Sequence, residues 1–288
     1  MLPDLVARLS TCTELDLVPG SVVQIGPTSC KALASQGPVV IRLVRAGDPR
    51  HRQFLRAIRL RSAQRVGMLQ HLLGTAACGG DVVAVLEWLH GTTARESGPH
   101  LLPRFFGSLA AWHRDNQCDL PIYSPYTGEE YSDLASFLDG ETSHHLKILG
   151  RPALETRCLE LLRPIATGFV TLLHGDVHPG NILHAADGTF RLLDPEFVHV
   201  VCNFLDLDYL DWLALEPSPT PWWVIGDYAR PSTAAYFNAI GIPETNVPPV
   251  MTAVVLLTAL RSHTNAQRYT PDGMEEMKLR IERILWRG

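Results

Sequence analysis

Residues 169–194 run FVTLLHGDVHPGNILHAADGTFRLLD, and the geometry of this stretch decides how the rest of the chain is read. Asp187-Gly188 predicts a two-residue hairpin turn of the type that needs positive φ at both central positions. Counting outward, Ala186 faces Thr189, His184 faces Arg191, Ile182 faces Leu193, and Asn181 faces Asp194. Partners directly across antiparallel strands have Cβ atoms roughly 5 Å apart on one face. An amide oxygen and a carboxylate so placed can share a hard cation such as Mg2+, which takes oxygen ligands and keeps waters and substrate phosphates as the others. Asp176 precedes Asn181 across a loop tightened by Pro179-Gly180, which leaves it near the ion without obliging it to ligate. A rival reading places His174, Asp176 and His178 on one strand face as zinc ligands for a hydrolase. Pro179-Gly180 and the Asn181 to Asp194 pairing favour the first.

Outward from this stretch, residues 21–46 read as a strand pair, Val22, Val23 and Ile25 first and Val39 to Val44 second, with Ser35-Gln36-Gly37-Pro38 as turn material. Residues 50–73 read as helix. Val82 to Trp88 is an apolar run suited to a buried strand, and the pattern breaks at His90-Gly91. The domain boundary is placed there, giving segments 1–90 and 91–288. A helix starts near Leu101, carried by Leu102, Phe105, Phe106, Leu109 and Trp112, with Pro103 where a missing N–H is harmless. Residues 119–150 read as loop and short helix, and 154–166, 247–269 and 275–286 as helices.

His174-x-Asp176-x-x-x-x-Asn181 followed by Asp194 has the spacing of the kinase catalytic loop and its second metal aspartate. The wording HGDVHPGN with LLDPE resembles the aminoglycoside phosphotransferase and choline kinase-like family of small-molecule kinases. That resemblance implies an α+β, bilobal protein-kinase-like fold with a small β-rich lobe and a larger, mainly helical one. It implies that Asp176 orients or deprotonates an acceptor hydroxyl, that Asn181 and Asp194 hold Mg2+ on the phosphates of ATP or GTP, and that His174 and His178 brace the loop. Glu196 resembles the acid of the family's DxE variant, which would touch the metal through water. VVAVLEWLHG resembles the last strand and hinge of the small lobe, whose backbone at Glu87, Trp88 and Leu89 would hydrogen-bond the adenine edge. FFGSLAAWHRD and NFLDLDYL resemble further family segments, the latter with Asp206 or Asp208 as structural acid. No long activation segment or APE motif follows Asp194, which disfavours a protein kinase proper.

Alternation in VVIRLV puts Val40, Arg42 and Val44 on one face, matching the nucleotide face of VAIK-type strands. Arg42 then stands where that pattern has lysine, and a guanidinium can bind phosphate bidentately. Only Lys31, Lys147 and Lys278 are lysines, so Lys31, on the preceding strand, is the second choice. The helical stretch 50–73 holds no Asp or Glu to position Arg42; Gln53 is a substitute, and Arg52, Arg56 and Arg59 share a face that can collect a phosphate. Gly20 and Gly26-Pro27-Thr28-Ser29 are the candidates for a phosphate-covering loop. These departures motivate a second reading, a catalytically silent nucleotide- or metabolite-binding module of the same fold.

The 288 residues, 46% hydrophobic and 19% charged, exclude disorder, and a formal charge of −5 excludes the basic footprint of a general nucleic-acid binder. Six scattered cysteines encode neither a zinc ribbon nor a disulfide framework and read as reduced cytoplasmic thiols. The first residues do not make a signal peptide, and the longest apolar run, Val250 to Leu260, falls well short of the roughly 20 residues that span a bilayer. Acids in 129–141, with Asp208, Asp211, Glu216, Glu275 and Glu276, are candidates to line a pocket for a cationic acceptor, with Tyr209, Trp212, Trp222 and Trp223 adding cation–π contacts. An aminoglycoside, amino sugar or amino alcohol fits that reading, and a neutral sugar or nucleoside fits nearly as well. The sequence does not encode the oligomeric state.

Overall fold

The structure is a computed structural model that describes residues 18, 21–25, 29–35, 37–46, 67–78, 80–208, 226–266 and 271–287. The chain divides into two compact units, one of residues 1–93 with 180–198, the other of residues 94–179 with 199–288. The fold is sheet-rich in the N-terminal part and helical in the C-terminal part.

The first unit is built on an antiparallel sheet of β1 (Val23–Gln24), β2 (Ser29–Ala34), β3 (Gly37–Val44), β4 (Leu72–Cys78) and β5 (Asp81–Glu87), ordered β1-β2-β3-β5-β4. Strand alternation sends Val39 and Ile41 to one face, where they pack with Cys30, Ala32, Ala34, Val83 and Val85. Each large aliphatic buried this way contributes on the order of 1.5–3 kcal/mol. The opposite face carries Val44 and Ala84 against Leu72 and Val82. The strand pair expected over 21–46 is therefore a β2–β3 hairpin with β1 added outside it. The expected helix 50–73 also changes: residues 50–66 lie outside the described residues, and Leu72 opens β4, which pairs with β5. Tertiary pairing overrides the helical preference of leucine and alanine here.

A second sheet in this unit has the order β11-β10-β6, from β6 (Gly91–Thr93), β10 (Ile182–Ala185) and β11 (Phe190–Leu192). At Gly91 a Cβ would stand 2.3 Å from the His184 carbonyl oxygen, so only glycine permits the β6–β10 pairing. The β10–β11 hairpin corrects the expected register. Ile182 pairs with Leu192 and His184 with Phe190, one residue away from the two-residue-turn count. Ala185 N–H donates to the Thr189 carbonyl and Gly188 N–H to the Ala185 carbonyl, each at 2.9 Å, closing the three-residue loop Ala186-Asp187-Gly188. Gly188 alone takes positive φ, 82°. This is the hairpin in which a type I turn is followed by a left-handed glycine. The Asp187 carboxylate accepts from Thr189 N–H at 2.9 Å and from its hydroxyl at 2.7 Å, which fastens that loop.

In the second unit α1 (Ala94–Ser97) precedes α2 (Leu102–Asp115), which has Pro103 in its first turn and buries Phe105, Phe106 and Leu109. The pair β7 (Ile122–Tyr123) and β8 (Glu130–Tyr131) leads into α3 (Leu134–Leu149), then α4 (Glu155–Leu162). The stretch 119–150 thus holds a 16-residue helix where a short one was expected. Asp133 caps its first turn by accepting from Ser136 N–H at 2.8 Å, and Gly150, at φ 68°, ends it. β9 (Val170–Leu173) pairs with β12 (His199–Cys202). The helices α5 (Gly226–Ile240), α6 (Val247–Ala266) and α7 (Pro271–Arg287) complete the unit. Among the described residues no single helix is long and apolar enough to cross a membrane.

Candidate active site

In the second unit the segment after β9 is held from beneath by one carboxylate. Asp206 is fully buried; its Oδ2 accepts from the His174 N–H at 2.9 Å and its Oδ1 from the Gly175 N–H at 2.7 Å. His113, at the end of α2, lies with Nε2 3.0 Å from Asp206 Oδ2 and Nδ1 2.7 Å from the Tyr236 hydroxyl. Because an ionised carboxylate only accepts, His113 Nε2 carries the proton of that bond. Tyr236 donates to the Asn203 carbonyl at 2.9 Å and accepts from the Asn203 amide at 3.0 Å. Burial pushes the Asp206 carboxyl up, but His113, the charge of His174 and the Gly175 N–H outweigh it and hold the group below the usual carboxylate range. Of the two acids proposed as structural, Asp206 is the one that carries the loop.

Gly175 turns the backbone at φ 78°, and Asp176 follows with its side chain 39% exposed. The His174 ring is fully buried, and His178 Nε2 lies 3.7 Å from Asp176 Oδ2. Burial, helped by the Arg95 charge, lowers the His178 pKa against the opposing pull of Asp176. Arg95 N–H donates to the Pro179 carbonyl at 3.0 Å, which ties the far end of the loop to α1. Among the described residues no three His, Cys, Asp or Glu side chains gather to hold a metal ion, so the zinc reading of His174, Asp176 and His178 is withdrawn.

In the first unit Asn181 is buried just ahead of β10, and Asp194 follows β11. The corrected register sets Asn181 beside Leu193, whose N–H donates to the Asn181 carbonyl at 2.8 Å, and removes the direct Asn181 to Asp194 pairing. Asp194 has φ 62°, the only positive φ of a non-glycine residue among those described. Such a conformation costs on the order of 1–3 kcal/mol and persists where surrounding structure enforces it. Its carboxylate accepts from the Arg42 guanidinium. Arg42 thereby gets from Asp194 the acidic partner that residues 50–73 do not encode. Glu196 lies in the turn Pro195–Phe197, with its side chain outside the described residues.

Val40 and Arg42 share a face of β3, as alternation requires. Lys31 does not stand with Arg42: its Nζ lies 3.9 Å from the centre of the Trp88 ring. The hinge backbone is partly committed. Glu87 N–H donates to the His71 carbonyl at 2.9 Å, Gln70 Nε2 donates to the Glu87 carbonyl at 2.7 Å, and Trp88 N–H donates to the Pro38 carbonyl at 3.3 Å. The Glu87 carboxylate accepts from His71 N–H at 2.6 Å and faces Arg191 at 3.6 Å. Of the expected base contacts, Glu87 is occupied, and among the described residues the Trp88 carbonyl and the Leu89 peptide remain.

Of the acids expected to line an acceptor pocket, Asp208 acts through its charge on Tyr126 and Arg261, and the other described ones are differently employed. Glu129, Glu130, Asp133 and Asp139 are exposed, and Glu275 pairs with Lys278 at 2.6 Å. Glu141 is buried and spent: it accepts from Arg261 Nε at 2.8 Å and from Ser124, and lies 3.2 Å from His145 Nε2. Burial raises its pKa, but the Arg261 charge and these hydrogen bonds bring it down to about 2. Arg261, its guanidinium 4.9 Å from the Tyr126 ring centre, was missed in the sequence, although an arginine directly after the apolar run ending at Leu260 is a signal for a buried partner. Gly20, Gly26, Pro27, Thr28, Arg52, Gln53, Arg56, Arg59, Tyr209, Asp211, Trp212, Glu216, Trp222 and Trp223 lie outside the described residues, as does the Glu276 side chain.

A model of the phosphotransferase enzyme family matches residues 29–200, from the start of β2 into β12, a span that includes Arg42, residues 87–89, the loop around Asp176, and Asp194. The chain belongs to that family. This phosphotransferase is similar in fold to a macrolide 2'-phosphotransferase from Brachybacterium faecium, with TM-score 0.57, 18% identity and 97% of each chain covered. It is similar to a choline kinase from Streptococcus pneumoniae, with TM-score 0.57, 11% identity, and 100% of this chain and 99% of that one covered. A thermostable mutant of an aminoglycoside phosphotransferase, in ternary complex with ADP and hygromycin B, matches with TM-score 0.61, 13% identity, and 99% and 98% covered. The phosphotransferase has the protein-kinase-like fold that the family resemblance implies. Among curated proteins none matches its sequence.

Proposed function

We propose that this phosphotransferase moves the γ-phosphoryl group of ATP or GTP to a hydroxyl of a small molecule. The observation that carries the reading is the loop at Asp176: its backbone is fixed by a fully buried carboxylate while its own acid stays 39% exposed. A part-exposed carboxylate on a rigid support is suited to orient an acceptor hydroxyl and take its proton as the hydroxyl oxygen attacks phosphorus and the bond to the nucleoside diphosphate breaks. Arg42 binds phosphate oxygens as a bidentate cation once its pairing with Asp194 is exchanged.

The residues of the first unit suit Mg2+. Asp194 and Asn181 are hard oxygen donors, and an ion that keeps waters and phosphate oxygens needs only one or two protein ligands. Asp194 and Asn181 would hold it, with Glu196 acting through water. When bound, the ion neutralises charge on the phosphates. The acceptor is a small hydroxylated molecule, and the spent Glu141 and exposed neighbouring acids supply no argument for a cationic one over a neutral one.

The test is a panel of sugars, amino sugars, aminoglycosides, amino alcohols and nucleosides, run with ATP and with GTP and read as nucleoside diphosphate release above background hydrolysis. Acceptor-dependent release that requires Mg2+ is expected. Nucleotide binding without transfer across the whole panel would replace this reading with the silent binding module.

A further inference from the structure

Two cations stand on one face of the five-stranded sheet, in neighbouring rows, and reach opposite ways. Directly paired antiparallel residues share a face. The register therefore puts Lys31, Val40 and Leu86 in one row, and Ser29, Arg42 and Ala84 in the next. The second row lies two residues farther from the hinge, about 7 Å along the strand. Arg42 in that row is engaged with Asp194. Lys31 reaches the other way, onto the Trp88 ring, and among the described residues makes no ion pair. The ammonium is thus held at the hinge end, where a base would lie if the phosphates meet Arg42.

The hinge backbone does not choose between purines. With the Glu87 peptide and the Trp88 N–H committed, it offers the Trp88 carbonyl as acceptor and the Leu89 N–H as donor. Adenine and guanine each present a donor and an acceptor to such a pair. The ammonium does choose. Guanine offers two adjacent acceptors, O6 and N7, to a lysine, whereas adenine offers N7 beside an amino group whose hydrogens meet the charge unfavourably. A cation–π contact at a part-exposed ring is readily exchanged for charge-assisted hydrogen bonds.

We propose that Lys31 selects the purine and that the co-substrate is a guanine nucleotide. The proposal rests on the nucleotide-dependent transfer proposed above and narrows it. Titration calorimetry of the full chain with Mg2+ and the non-hydrolysable analogues of GTP and ATP separates the two claims. The guanine analogue is expected to bind about tenfold tighter, the size of discrimination one good base contact provides. Lys31→Met should lose about that factor for the guanine analogue and change the adenine one less than twofold, while Lys31→Arg, which keeps the charge, should retain the preference. Equal affinities, an adenine preference, or a Lys31→Met protein with the wild-type ratio overturns the proposal and leaves phosphoryl transfer standing. Binding of neither analogue overturns both.

Discussion

Asp206 and Asp194 are carboxylates in the same sequence neighbourhood, treated in opposite ways by the two units that hold them. Asp206 is fully buried, and three polar hydrogens converge on it from His174, Gly175 and His113. Asp194 has its side chain 35% exposed, sits on strained backbone, and meets the guanidinium of Arg42. An acid whose oxygens are all engaged by fixed donors is part of the scaffold, because replacing those donors by anything else strands buried polar groups. A part-exposed acid whose partner can be exchanged can accept a ligand. The same contrast separates Glu141, locked by Arg261, from Asp176, part-exposed on its loop.

The contrast breaks most visibly in stability. Asp206→Ala should cost about 3–5 kcal/mol, since it leaves two loop N–H groups and the Nε2–H of His113 unpaired in the interior. Urea denaturation checks this, and a loss below about 1 kcal/mol would place Asp206 with the exchangeable acids. Glu141→Gln should cost roughly 3 kcal/mol at neutral pH, the linkage value of a carboxyl brought from 4.5 to about 2. The sign follows: both folded-state pKa values are depressed, so the stabilisation is full above the ordinary carboxylate range and is lost as pH falls through the lowered values. Wild-type stability should therefore decline on acidification below about pH 4.5, and the slope should flatten in Glu141→Gln.

Asp194→Asn should change stability by less than about 1 kcal/mol, because its side chain is part-exposed and the amide oxygen still accepts from Arg42, yet abolish Mg2+-dependent transfer. Denaturation beside a turnover assay reads the two effects together. At the low end, Arg157→Ala removes a solvent-exposed pair with Glu160 and should stay within about 0.5 kcal/mol.

The loop spacing from His174 to Asn181 and the apolar strands β3 and β5 were legible because short motifs and strand alternation report local geometry directly. The hairpin register was not. Asp187-Gly188 fits both a two-residue loop and a three-residue loop, and Thr189, which Asp187 ties down, decides between them only in three dimensions. The pairing of Arg42 with Asp194 was equally hidden, because β3 and the β11 strand ahead of Asp194 belong to different sheets, and the contacts that tie β11 to the chain ahead of β4, Leu192 N–H to the Met68 carbonyl at 2.7 Å and Gln70 N–H to the Leu192 carbonyl at 3.0 Å, have no short-range signal. Helix α3 had its signals, Asp133 before it and Gly150 after it, but the density of acids between 129 and 141 made the stretch look like loop. Those acids also suggested a cationic acceptor, and only packing shows that Glu141 is committed to Arg261.

In the proposed reaction the loop braced by Asp206 presents Asp176 to an acceptor. Single-turnover phosphoryl transfer with an acceptor found in the panel, compared between wild type and Asp176→Ala, tests it most directly. The transfer rate should fall by about 10²–10⁴ while nucleotide affinity stays within a few-fold and the denaturation midpoint is unchanged. Transfer by Asp176→Ala at the wild-type rate would contradict the account.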